Sequence, residues 1–236
     1  MSDPASTPPT RPRLLVSVRG PDEALVALRA GADLIDAKDP ERGALGALPP
    51  ETVRAIAERV AGAAVTSAVA GDGTGREIAA AVAALAATGV DFIKIAVRAA
   101  DDAGLRRAAA QAPGRVVGVL FAEDGVGESV PRRLAAAGFA GAMIDTSGKS
   151  GTALPALTTP ARLAAFVAAC GAHGLMSGLA GSLGLADIPA LAALGPGYLG
   201  FRGGLCRDGD RRQALDGARV AQAVAAMRAG LRADAA

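Results

Sequence analysis

The feature that most constrains the fold is an eightfold alternation of short apolar runs with alanine-rich amphipathic stretches. Each run has the length of a strand and is closed at its end or within a few residues by glycine, proline or aspartate, whereas the stretches between runs repeat apolar residues at helical spacing. The predicted strands cover residues 14–18, 32–38, 63–70, 91–97, 116–121, 142–145, 175–180 and 198–202. Eight strand–helix units in 236 residues predict an α/β fold, a single (β/α)8 TIM barrel.

A doubly wound open sheet is the competing architecture. It seldom needs eight near-equal units, and no Gly-x-Gly-x-x-Gly motif follows the first predicted strand. Residues 1–12 are rich in proline, serine and threonine, so we expect a flexible leader followed by a catalytic barrel over residues 13–236. Active sites of such barrels lie at the carboxyl ends of the strands, and functional side chains are therefore sought there.

Composition excludes several classes of function. The net charge is only +2, and aromatic residues make up 3% of the chain, so nucleic-acid binding is not expected. One histidine and two cysteines, without a Cys-x-x-Cys pair, predict neither a metal site nor a bound cofactor. Neither a signal sequence nor an uninterrupted membrane-length apolar run is present. We expect a cytoplasmic homo-oligomer that acts on a small molecule.

Lysine is rare, and its positions are informative. The chain has three lysines among 25 basic residues: Lys38 at the end of predicted strand two, Lys94 in strand four and Lys149 just after strand six. Arginine stays protonated, whereas a lysine amine can become a nucleophile when burial or neighbouring charges lower its pKa. All three fall on even-numbered strands, whose inward residues share a layer. This placement predicts Schiff-base chemistry in one cavity.

Two carboxylates accompany these amines. Asp36 precedes Lys38 by two residues and so points to the same face of the strand, and Asp145 ends strand six. Carboxylates beside amines can relay protons and stabilise an iminium ion. The alternative is that these groups form buried ion pairs without a chemical role.

Glycine-rich segments follow predicted strands seven and eight. Gly181 and Ser182 follow strand seven, and Arg202, Gly203 and Gly204 follow strand eight. These loops commonly bind phosphate in this fold, because glycine lets backbone N–H groups approach an anion. The alternative is that these residues serve only as turns. The sequence leaves the roles of Glu123, Asp124 and Cys206 open.

In these segments the chain resembles (5-formylfuran-3-yl)methyl phosphate synthase, the furan-forming family of methanofuran biosynthesis in methanogens and methylotrophic bacteria. The resemblance runs from about Leu14 to the last helix. Its segments are IDAKDPERGALGAL, DFIKIAV, MIDTSGKSG and LAGSLGLADIPALAALGPGYLGFRGGLCRDGDR. Asp39 stands where the family often has asparagine, and the stretch between Asp145 and Lys149 varies within the family.

The resemblance implies a reaction and a division of roles. Two glyceraldehyde 3-phosphates condense into (5-formylfuran-3-yl)methyl phosphate, with loss of one phosphate and two waters. Lys38 is implied as the Schiff-base lysine and Lys94 as the proton acceptor, although the residues alone would allow either amine to be the nucleophile. Two other functions stay open: a Schiff-base aldolase acting on another sugar phosphate, and a non-catalytic barrel that binds a phosphorylated metabolite.

Overall fold

The computed structural model describes residues 11–98, 101–125, 127, 129–147 and 151–233. Eight parallel strands close into a barrel in sequence order, because β1 is hydrogen-bonded to both β2 and β8. The strands are β1 Arg13–Val18, β2 Leu34–Ala37, β3 Val65–Val69, β4 Phe92–Ala96, β5 Val116–Phe121, β6 Gly141–Asp145, β7 Met176–Ala180 and β8 Tyr198–Phe201. The predicted single (β/α)8 barrel is confirmed.

Helices follow the strands around the outside of the barrel. They are α1 Pro21–Arg29, α2 Pro50–Val60, α3 Gly75–Ala86, α4 Asp102–Ala109, α5 Val130–Ala136, α6 Leu154–Leu157, α7 Pro160–Ala172, α8 Ile188–Ala192 and α9 Gly217–Ala233. Proline occupies the first turn of α1, α2 and α7, where its missing N–H has no intrahelical partner to lose. Within the described ranges no helix has both the length and the apolar character needed to cross a membrane.

Side chains alternate between two buried layers along each strand. On β5, Val117, Val119 and Phe121 point into the barrel and join an inner cluster that includes Leu15 and Tyr198. The residues between them face a larger outer layer that packs strands against helices. This alternation is what a pleated strand requires. It also fixes which polar residues face the lumen.

The ends of the chain and the strand boundaries differ modestly from expectation. Of the predicted leader, residues 1–10 lie outside the described residues. Arg11 forms two hydrogen bonds of 2.8 and 2.7 Å with Asp33, just before β2. Strands β2 and β3 are shorter than predicted, and the four-residue helix α6 was not predicted. After β2, Asp39 accepts a hydrogen bond of 2.9 Å from the Glu41 N–H, a contact that an asparagine oxygen could also make.

Candidate active site

A cavity of about 920 Å³ opens at the carboxyl ends of the strands. Its lining includes Lys38, Lys94, Asp36 and Asp145, which the sequence placed at this rim. The predicted phosphate-binding residues also border it: Gly181, Ser182, Arg202, Gly203 and Gly204. The structure therefore brings the described members of both predicted sets into one cavity.

Lys94 and Asp36 form an ion pair deep in this cavity. The Lys94 Nζ lies 2.8 Å from the Asp36 Oδ1, and the two residues are only 4% and 1% exposed. Asp36 also accepts hydrogen bonds from the hydroxyls of Ser67 at 2.6 Å and Ser17 at 3.0 Å. Ser17, Asp36 and Ser67 are register partners on adjacent strands β1, β2 and β3, which is why their side chains meet. Asp36 thus has hydrogen-bond or ion-pair partners on three strands, β1, β3 and β4.

The environment shifts both partners of this pair. Burial works to raise the pKa of Asp36, but the charges of Lys94 and Lys38, with hydrogen bonds from Lys94 and Ser67, lower that pKa overall. Burial lowers the pKa of Lys94, and the charge of Lys38 adds to that effect, although Asp36 and Asp145 oppose it. Lys94 is thereby closer to acting as a base than an exposed lysine would be.

Lys38 and Asp145 meet across the lumen. Lys38 directly follows β2 and Asp145 ends β6, four strands away, yet the Nζ lies 3.9 Å from Oδ2. Their side chains are 13% and 11% exposed, so Lys38 is the more accessible of the two described lysine amines. Asp145 is held in place by a hydrogen bond of 2.7 Å from the Thr146 N–H to Oδ1.

The third predicted amine, Lys149, lies outside the described residues. Gly151, the first described residue after it, lines the same cavity. The sequence prediction for Lys149 therefore stays a prediction.

The loops after β7 and β8 approach each other closely. A side chain at Gly204 would place its Cβ 2.2 Å from the Leu183 carbonyl oxygen, so only glycine allows this contact. Gly181 and Ser182 have positive φ angles of 116° and 49°. No described residue accepts a hydrogen bond from the backbone N–H groups of Ser182, Gly203 or Gly204. These N–H groups suit an anion in the cavity.

Arg202 has a different environment from the one its predicted role requires. Its guanidinium forms an ion pair with Glu23, donating to both carboxylate oxygens. It also donates to the carbonyl oxygens of Ser17 at 3.1 Å, Arg211 at 2.9 Å and Gln213 at 3.1 Å. These bonds occupy the five N–H donors of an arginine. A phosphate contact from Arg202 would require one of them to break.

Four side chains of the cavity and its floor were not among the predicted catalytic or phosphate-binding residues, although the sequence indicated that Ser17, near the end of strand one, could line the site. Ser17 and Ser67 hold Asp36, as described above, and Arg211 lines the cavity. Tyr198 lies beneath, with Lys94 Nζ 5.8 Å from its ring centre and its hydroxyl buried without a described partner. Period-2 alternation along β3 could have identified Ser67, since it lies at an inward position.

The residues left open by the sequence have structural partners. Glu123 accepts a hydrogen bond of 3.1 Å from the Ser147 N–H, and Asp124 pairs with Arg98 at the exposed rim. Cys206 is buried, and its thiol donates to the Arg202 carbonyl oxygen at 3.2 Å. Burial raises the pKa of Cys206, which disfavours the thiolate. Within the described residues, no group of three histidine, cysteine, aspartate or glutamate side chains could hold a metal ion.

Solved structures of other barrels share this architecture. Phosphoribosyl anthranilate isomerase from Thermus thermophilus aligns with a TM-score of 0.66 at 16% identity, covering 92% of this chain and 98% of that one. KGPDC from Streptococcus mutans aligns with a TM-score of 0.67 at 13% identity, covering 93% and 99%. At such identities the likeness concerns the fold alone.

Sequence relatives are more specific. A Methylorubrum extorquens protein that carries the name (5-formylfuran-3-yl)methyl phosphate synthase provisionally is 80% identical over the whole of both chains. The (5-formylfuran-3-yl)methyl phosphate synthase of Methanopyrus kandleri is 39% identical, over 86% of this chain and 93% of its own. That of Methanocaldococcus jannaschii is 34% identical, over 84% and 92%.

The family model described as 4-HFC-P synthase matches residues 14–224. That range includes β2 to β8, all of β1 except Arg13, and every predicted site residue. The chain therefore belongs to the 4-HFC-P synthase family.

Proposed function

We propose that this enzyme condenses two molecules of glyceraldehyde 3-phosphate into (5-formylfuran-3-yl)methyl phosphate, releasing one phosphate and two waters. The observation that carries the proposal is the pair of amines, Lys38 and Lys94, in one cavity, each facing a carboxylate. The relatives named as synthases support the product. We further propose that the enzyme acts in the cytoplasm as a homo-oligomer, as a step of methanofuran-type cofactor biosynthesis.

Lys38 is proposed as the amine that forms the imine. It is the more accessible of the two described amines, and it lies across the lumen from Asp145 rather than in a tight pair. Attack of its neutral amine on the aldehyde carbon of one triose expels water and leaves an iminium ion beside the Asp145 carboxylate. That charge acidifies the neighbouring C–H, so an enamine can form when a base removes its proton.

Lys94 is proposed as the base. Its lowered pKa favours the neutral amine, and Asp36, held by Ser17 and Ser67, fixes its position. The enamine carbon then bonds to the aldehyde carbon of the second triose. Loss of phosphate and water, release of the amine and ring closure yield the aromatic furan. The atoms balance, since two C3 phosphates supply six carbons and two phosphates, one of which stays in the product.

The loops after β7 and β8 are proposed to hold a substrate phosphate. The backbone N–H groups of Ser182, Gly203 and Gly204, from which no described residue accepts a hydrogen bond, support this role. Arg202 was predicted to contribute a charged fork. Its contacts with Glu23 and the Arg211 carbonyl favour an organising role for it in this loop.

Borohydride trapping tests the mechanism. The chain is incubated with glyceraldehyde 3-phosphate and reduced, and the modified lysine is mapped by mass spectrometry, with Lys38→Arg as the control. We expect the adduct on Lys38 and, without borohydride, an ultraviolet-absorbing conjugated aldehyde. An adduct without the furan product would favour an aldolase on another sugar phosphate. The absence of any adduct with any triose phosphate would favour a non-catalytic binding barrel.

A further inference from the structure

Arg211 differs from every other described cation that lines the active-site cavity. Lys38, Lys94, Arg202 and Arg212 each have a carboxylate within 4.0 Å, in Asp145, Asp36, Glu23 and Asp210 respectively. Arg211 has no such partner among the described residues. It therefore brings a positive charge to the cavity that the described part of the chain does not neutralise.

The Arg211 side chain also has an unused donor. Its Nη2 donates to the Gly43 carbonyl oxygen at 2.7 Å, but its Nε is buried and has no hydrogen-bond partner in the described structure. Buried N–H groups are nearly always paired, and an orphan donor on a cation indicates a site for an acceptor. The side chain is thus anchored at one nitrogen, and its Nε carries an N–H that no described residue binds.

The Arg211 side chain runs from the loop after β8 to the loop after β2. The Arg211 Cβ lies against Gly203, only 3.6 Å from where a Cβ at that glycine would be. The far end of the side chain instead reaches Gly43, in the loop after β2. Because β1 lies between β8 and β2, the side chain passes the carboxyl end of β1 toward the side of Lys38.

Arg202 holds this arrangement in place. Its Nε donates to the Arg211 carbonyl oxygen at 2.9 Å, and its Nη2 to the Gln213 carbonyl oxygen at 3.1 Å. The ion pair of Arg202 with Glu23 ties the same segment to α1. The buried Arg202 therefore fixes the backbone of the segment that carries Arg211.

We propose that Arg211 is the cation of a second phosphate subsite, separate from the glycine loops after β7 and β8. This inference rests on the proposed function, in which two triose phosphates occupy the cavity before either phosphate leaves. Two phosphate dianions repel each other, so each needs its own donors. The planar guanidinium can offer two of its N–H groups to two oxygens of one phosphate.

The experiment compares Arg211→Gln and Arg211→Lys with Arg207→Gln. Arg207 is an exposed arginine of the same loop that does not line the cavity. Inorganic phosphate is titrated into each full-length chain by calorimetry, and initial rates are measured against glyceraldehyde 3-phosphate. Thermal melts check that each variant is folded.

We expect two phosphate sites in the unaltered chain and the loss of one in Arg211→Gln. The KM for the triose should rise about tenfold or more, since a charge-assisted bidentate contact is removed. Arg211→Lys should retain part of the binding, as it keeps the charge but not the fork. Arg207→Gln should match the unaltered chain.

The two proposals fail in distinguishable ways. A single phosphate site in the unaltered chain, or two unchanged sites and an unchanged KM in Arg211→Gln, would overturn the second subsite while furan formation continued. Two phosphate sites, one of them dependent on Arg211, in a chain that makes no furan would instead overturn the proposed function and leave the subsite standing.

Discussion

At the scale of single residues, the two lysine amines have different environments, and this difference sets their proposed roles. Lys94 is buried against Asp36, whereas Lys38 is looser and more accessible. Under the proposed mechanism, the same residue type therefore supplies a nucleophile directly after β2 and a positioned base on β4. Burial and distance to a carboxylate decide which is which.

Replacing either amine with a guanidinium should stop the chemistry. We expect Lys38→Arg and Lys94→Arg each to lower kcat by at least about 10²-fold, because arginine keeps the charge but offers no free amine. Arg54→Lys, on the exposed face of α2, is the control and should leave kcat unchanged. Steady-state rates of furan formation measure the effect. Near-native rates in both lysine variants would rule out a Schiff base on Lys38 or Lys94.

Removing the Asp36 charge should destabilise the barrel in a pH-dependent way. Asp36→Asn leaves the Lys94 ammonium buried without its carboxylate, at a cost of about 3–5 kcal/mol in the free energy of unfolding. Burial already lowers the pKa of Lys94, and losing Asp36 lowers it further. The folded state of the variant then binds fewer protons than the unfolded state below the ordinary lysine value of about 10.4.

The deficit of Asp36→Asn should therefore shrink as the pH rises toward that value, because the folded variant has already lost the Lys94 proton over a pH range in which the folded unaltered chain still holds it, whereas the two unfolded states titrate alike. Urea unfolding at pH 7 and pH 9.5 measures this change. Asp22→Asn, at a side chain that is 98% exposed, provides the comparison. A deficit that is equal at both pH values would show that Lys94 does not carry the cost.

At the scale of elements, β7 and β8 are matched through one glycine and one tyrosine. A Cβ at Gly178 would lie 2.2 Å from the Tyr198 Cζ, so the absent side chain makes room for the ring. The ring in turn lies beneath Lys94. A side chain at Gly178 on β7 would therefore displace the Tyr198 ring, which lies beneath Lys94.

Gly178→Ala should lower the free energy of unfolding by about 1–3 kcal/mol through overpacking. Tyr198→Leu combined with Gly178→Ala should recover part of that loss, since the ring is gone. Gly171→Ala is the matched control, because a Cβ there meets nothing within 4 Å in α7. Chemical denaturation of the four chains gives the comparison. Equal stabilities of Gly178→Ala and Gly171→Ala would contradict the steric argument.

Periodicity was enough to predict the elements and their order, because each strand and helix repeats its own local pattern. The same alternation placed Asp36 and Lys94 at inward positions. Contacts between distant segments were not predictable. The approach of Lys38 to Asp145 depends on closure of the barrel across four strands, and the Arg202 contacts depend on loop conformation. The sequence therefore identified Arg202 as a rim cation but did not show that Glu23 pairs with it.

At the scale of the whole molecule, three buried or half-buried carboxylates join segments that are distant in sequence. Asp33 binds Arg11 and the Leu14 N–H before β2, Asp36 binds Lys94 in the lumen, and Glu23 binds Arg202 above β8. Burial opposes ionisation in each case. The cationic partners and hydrogen bonds nevertheless hold the pKa of all three below its ordinary range.

These carboxylates predict how the barrel loses stability in acid. A folded-state pKa below the unfolded value means that the folded chain binds fewer protons, so the stabilisation is complete above about pH 5 and is lost as the pH falls through the folded pKa. The free energy of unfolding, from urea titrations, should be flat from pH 7 to 5 and fall steeply below about pH 4.

Glu23→Gln and Asp22→Asn, neighbours on α1, separate the contribution of the Glu23–Arg202 pair from that of an exposed carboxylate. Glu23→Gln should be less stable at pH 7 by about 1–3 kcal/mol and lose less on acidification, since an amide does not titrate. Asp22→Asn should follow the unaltered chain, because that carboxylate is exposed. If Glu23→Gln and the unaltered chain fall with the same slope, the Glu23–Arg202 pair does not hold the strand-eight loop to α1 in the way that its geometry indicates.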